Sequence, residues 1–201
     1  MAEETLHQAQ VLRHTELWRL NMAYTYTLIN SGTVTSATQA SIEFTSIPQT
    51  YTDLQILMSV RYSGSDTTGI NVILNGDTST SYNVRVLRGT GAGGAPQNNT
   101  SAQTFDFTAL GAGGSTTGSS GSSQTASTFT NTAMYIPDYT GSKHKSISTD
   151  FVQTAFVTAT FLGFYANLKA SASAITSITI SPSEGSWVQY SAIYLYGIKN
   201  S

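Results

Sequence analysis

Apolar and polar residues alternate with a period of two through the run from Leu54 to Tyr62. Leu54, Ile56, Met58, Val60 and Tyr62 fall on one phase, with Asp53, Gln55, Ser59 and Arg61 on the other. Successive side chains of a strand point to opposite faces, so this pattern specifies a strand with one buried and one wet face, and a helix of period 3.6 would scatter it. The same alternation returns at Ile42 and Phe44, at Ile70, Val72 and Leu74, at Tyr82, Val84 and Val86, and at Phe105 and Phe107. Turn residues separate the runs: SGSD at 63–66 and NGD at 75–77 offer Gly and Asn where positive φ is needed. Pro48 lies just beyond the Ile42–Ile47 run, where a missing backbone donor does least harm.

Roughly ten short strands with turns at this spacing predict an all-β, antiparallel β-sandwich, jelly-roll-like in its wrapping. A chain of 201 residues suits one such domain with an appendage. The appendage is residues 1–22. Leu6, Ala9, Leu12, Leu17 and Leu20 recur there among Glu, Gln and Arg without Gly or Pro, which predicts a short N-terminal helix or arm over 2–21. One reading makes it an anchor that lays Leu17, Trp18 and Leu20 on a partner. Another makes it an upstream extension, since the β-pattern starts directly after Met22. The β-sandwich domain is placed at 23–201, with Gly/Ser-rich loops expected at 89–102 and 111–127.

The back half differs from the front. From Ala155 to Tyr165 both alternating sets are apolar, with Phe156, Leu162 and Phe164 opposed by Val157, Phe161 and Tyr165. The run from Val188 to Ile198 repeats this, with Tyr190, Tyr194 and Tyr196 opposed by Ile193 and Leu195. A strand that is apolar on both faces needs cover on both. A neighbouring subunit is the favoured cover, because aromatic side chains are enriched at such surfaces, and Phe161, Tyr165, Tyr194 and Tyr196 are the expected contacts.

Composition narrows the function. Charged residues are 10% of the chain, against roughly 25% in an ordinary globular domain, and the formal net charge is −2. No basic patch is available for nucleic acid or an anionic membrane, and no apolar stretch approaches the ~18 residues of a membrane span. The chain has no Cys, hence no disulfide framework, thiolate metal site or cysteine nucleophile. Of the three histidines, His7 and His14 are two helical turns apart and His144 stands between Lys143 and Lys145, so no metal site is expected.

Gly89 to Gly94 spells GxGxxG after a predicted strand, but APQNN follows where a dinucleotide site requires a helix. No nucleophile elbow is present. Asp106, Asp138 and Asp150 are the carboxylates a polysaccharide depolymerase would draw on, and turn or surface roles account for each more simply. The chain therefore reads as a non-enzyme without cofactor.

Five motifs point further: IEFTSIPQTYTDL at 42–54, NGD at 75–77, YIPDYT at 135–140, AITSITI at 174–180 and VQYSAIYLYGI at 188–198. In this order they resemble a group of small virion proteins from tailed phages of aquatic bacteria, over Tyr24 to Lys199. The resemblance implies a structural component of the particle, without catalytic residues to carry over, assembled in the host cytoplasm and residing in the virion. Residues 2–21 depart from that pattern. Combined with the apolar back half, the expectation is a capsid decoration or cement protein that clamps coat subunits on the outer head. Its partners would be other virion proteins, the major capsid protein first, and copies of itself, with a trimer as one arrangement. The alternative is a tail, neck or fibre protein that binds a host glycan through Trp187 and the tyrosines.

Overall fold

Twelve strands form among the described residues: β1 (Tyr26–Thr33), β2 (Ile42–Phe44), β3 (Asp53–Val60), β4 (Ile70–Leu74), β5 (Tyr82–Thr90), β6 (Gly93–Ala102), β7 (Phe105–Asp106), β8 (Thr130–Ile136), β9 (Lys145–Phe156), β10 (Ala159–Lys169), β11 (Ile178–Pro182) and β12 (Ala192–Ile198). The structure is a computed structural model that describes residues 26–36, 39–63, 69–90, 93–102, 105–106, 128–156 and 159–199. The helix expected at 2–21, with Leu17, Trp18 and Leu20, and the loop expected at 111–127 lie outside these residues.

The strands pair antiparallel in two sheets, an eight-stranded one in the order β1-β12-β3-β8-β9-β10-β5-β6 and a four-stranded one in the order β2-β11-β4-β7. Eight of them carry the wrap. Outermost in sequence, β1 pairs β12; then β2 pairs β11, β3 pairs β8 and β4 pairs β7. A long hairpin whose arms fold over together gives this nesting of pairs, which is the jelly roll expected from the sequence. The first and last described strands thus lie side by side, Tyr26 opposite Ile198.

The other four strands are two inserted hairpins, β5–β6 between β4 and β7 and β9–β10 between β8 and β11. Both add to the same side of the large sheet, beyond β8, and widen it to twice the jelly-roll half. The β5–β6 hairpin places 89–90 and 93–102 in regular structure, contrary to the loop expected there. Thr90 pairs with Gly93 and the ladder runs back to Tyr82 opposite Ala102. A ladder is made of backbone hydrogen bonds and needs no apolar alternation, and Pro96 is tolerated because β6 is an edge strand. Gly89, Thr90, Gly93 and Gly94 of the GxGxxG match therefore pair across β5 and β6, and a strand, not a helix, continues from Gly93.

Phase decides burial as expected in β3, where Leu54, Ile56, Met58 and Val60 are enclosed. They meet Ile70, Val72 and Leu74 of β4 and Ile178 and Ile180 of β11 in one core. Asp53 is a correction: assigned to the wet face, it is buried, accepting hydrogen bonds from the Tyr135 hydroxyl (2.7 Å) and the Asp138 backbone N–H (2.9 Å). Trp187 is another. It is fully buried, donating its indole N–H to the Ile180 carbonyl at 3.3 Å, and bridges Gln39 and Tyr62, so it offers no platform to a glycan.

The motif segments meet at one end of the sandwich, where chain crosses between the sheets. Asn75 and Gly76 both take positive φ in a turn closed by Asp77 N–H to Leu74 O at 3.0 Å. The Asn75 side chain then donates to Ala174 O (2.7 Å) and accepts from the backbone N–H groups of Thr176 (2.7 Å) and Ser177 (3.1 Å). Gln49 donates to Ile175 O at 2.9 Å, Ile175 N–H donates to Tyr139 O at 2.9 Å, and the Tyr139 hydroxyl donates to Pro48 O. These segments tie NGD, SIPQ, PDY and AITS into one knot of joints, which accounts physically for residues that no alternation explains.

Candidate functional site

Register sets the outer face of the large sheet. One row of side chains crosses six neighbouring strands as Tyr194 (β12), Leu57 (β3), Ala133 (β8), Asp150 (β9), Phe164 (β10) and Leu87 (β5). At the usual strand spacing of about 4.8 Å, the five intervals make a strip roughly 24 Å long. A second row adds Val152 beside Leu162. Leu87 is 65% exposed, Leu162 58% and Phe164 52%, with Val152, Leu57 and Tyr194 also open to solvent. Single exposed apolar residues are ordinary, whereas a contiguous strip of them marks a contact surface.

The strip is not flat at its middle. Leu57, Ser59, Asn131, Ala133, Asp150, Val152, Tyr194 and Tyr196 line a depression of about 440 Å³ over β12, β3, β8 and β9. Apolar side chains dominate its walls, and Asn131, Ser59 and the exposed Asp150 supply the polar points. Such a surface suits packing with a few directional hydrogen bonds more than bond-making chemistry.

The sequence-derived contacts divide. Tyr194 is exposed, and with half-buried Tyr196 it lines the depression. Tyr165 is corrected to core: it shares the inner phase of β10 with Gly163, Asn167 and Lys169, and its ring lies 5.6 Å from that of Phe151. The residues of β10 open to solvent are the opposite set, Leu162, Phe164, Ala166 and Leu168 among the described side chains. Phe161 is paired with Gln153, and its side chain lies outside those described. Val188 and Tyr190 precede β12, and Tyr190 takes a left-handed φ of 73° with its ring 71% exposed. Leu57, Leu87 and Val152 were missed, although each is an apolar residue on the otherwise wet phase of its strand and could have been found by that sign.

The three carboxylates considered for hydrolysis sit on separate elements. Asp106 is on β7 of the small sheet opposite Asn71, Asp138 has φ 46° in the β8–β9 turn, and Asp150 is on the outer face of the large sheet. Among the described residues no group of three or more His, Asp or Glu could hold a metal ion. A scan against protein-family models and a search of curated proteins found no match to the chain.

Proposed function

We propose that the protein is a structural component of a tailed-phage virion, a decoration or cement protein that seats the outer face of its large sheet on coat subunits. The observation that carries this reading is the open apolar strip from Tyr194 to Leu87 on a jelly-roll frame. Covering a Leu or Phe side chain is worth roughly 1.5–3 kcal/mol, so a few of these residues would hold a subunit weakly. Repetition over a symmetric lattice then multiplies weak contacts into firm attachment. Asp150, alone among apolar neighbours in its row, would require a hydrogen-bond donor from the partner and so set the register of docking.

The test is immunogold imaging of purified particles together with rebinding of the protein to heads stripped of it. Label on the head, with rebinding lost in Leu87→Ser/Phe164→Ser, is the expected result; label confined to the tail, or rebinding indifferent to the double variant, overturns it. A second reading, a tail, neck or fibre protein that binds a host glycan, rests on Tyr190, whose ring stands in solvent on a left-handed turn. A glycan array with wild type and Tyr190→Ala separates the two.

A further inference from the structure

At the joint end of the sandwich, two lysines stand side by side on the inner face. Lys145 begins β9, Lys169 ends β10, and they are register partners, both almost wholly buried. Both line a cavity of about 220 Å³ shared with Asn75, Asp77, Ser171 and Ser173. This is well above the ~10–15 Å³ that admits one water.

The two ammonium groups are not equivalent. Lys169 is neutralised: it contacts Asp77 at 2.5 Å, donates to the Ser81 hydroxyl and lies 3.6 Å from the centroid of the Tyr82 ring. Lys145 donates to two backbone carbonyls, those of Gly141 and Lys143 (2.9 Å). An ammonium has three donors, which leaves one over. The acid whose charge acts on it is Asp138, whose carboxylate rests against Gly141, and among the described residues Lys145 makes no ion-pair contact. Burial holds the Lys145 ammonium below its ordinary value, and Asp138 opposes that only from a distance. A buried charge without a paired counter-charge is costly, and a site that keeps one is suited to receive its partner from outside.

We propose that this cavity is a binding site for the carboxylate group of a small molecule, with Lys145 as the charge that recognises it and the Ser171 and Ser173 hydroxyls as further donors. A single uncompensated positive charge matches a monoanion better than the dianion of phosphate. The two lysines belong to the buried phase of β9 and β10 and the apolar strip to the exposed phase, and the carboxylate site does not depend on the virion reading.

Isothermal titration of the full chain with sodium acetate and sodium glucuronate tests it, with sodium chloride at equal ionic strength and inorganic phosphate as comparators. Saturable binding of a carboxylate is expected, weakened about tenfold or more in Lys145→Met, the scale of a lost charge-assisted hydrogen bond, and kept in Lys143→Met. Ser173→Trp narrows the cavity from an exposed position and should weaken binding with Lys145 intact, which serves if Lys145→Met does not fold. No saturable binding, equal response to chloride, a preference for phosphate, or binding unchanged in both Lys145→Met and Ser173→Trp overturns the assignment.

Discussion

Asp53 is an acid enclosed by the core that makes its living as a clamp, one oxygen on the Tyr135 hydroxyl and the other on the N–H of Asp138. That second bond holds Asp138 at φ 46°, a conformation L-residues seldom adopt, and so shapes the β8–β9 turn. Asp53→Ala would leave both donors without their acceptor, and a loss of about 2–3 kcal/mol in chemical denaturation is expected. Asp77 acts differently, because it is partly open to solvent. The hydrogen bond from Lys169, and then those from Ser79, hold its carboxyl well below the ordinary 3.8. The folded chain therefore takes up this proton less readily than the unfolded chain, and the stability it lends is complete above that ordinary value and drains away as pH falls below it. Unfolding curves from pH 7 to pH 3 should show wild type losing its advantage over Asp77→Asn toward the acid end; a difference independent of pH would refute this account.

Elements were legible where one face is apolar and the other wet. β3, β4 and the first half of β5 could be read because burial follows phase. β6 could not, since an edge strand of Gly, Asn, Thr and Pro pairs through its backbone alone and shows no phase. The apolar double phase of the back half was legible as a surplus of apolar surface, but the choice of face was not: Tyr165 went inward and Phe164 outward. Only register and the position of the opposite sheet decide that. The lysine cavity had one visible sign, the placement of Lys145 in phase with Ile147, Thr149 and Phe151, all of them buried. Pairing between β9 and β10 rests on a steric fit of the same kind. Gly163 lies opposite Phe151, whose ring occupies the space a Cβ would need. Gly163→Ala is expected to cost about 1–3 kcal/mol through overpacking, measured by equilibrium unfolding, with the Phe151→Leu/Gly163→Ala pair recovering part of it.

For the whole molecule, the jelly-roll core supplies the frame and the inserted hairpins supply most of the exposed strip, since Val152, Leu162, Phe164 and Leu87 all belong to β9, β10 and β5. Enclosure by its own fold is thus incomplete on that side. Sedimentation at micromolar concentration is expected to give a mass above the 21.4 kDa of one chain, falling toward it in Leu87→Ser/Phe164→Ser. A monomer at all concentrations would speak against self-association and leave the strip for a different protein. The adjacency of Tyr26 and Ile198 reaches further. Because both ends of the β-domain come out at one corner, a short linker could splice them and new ends be opened at an outlying hairpin, giving a permuted molecule that wraps identically. Cargo joined at either original end would project from that same corner, so the broad apolar side would stay free to face whatever it grips.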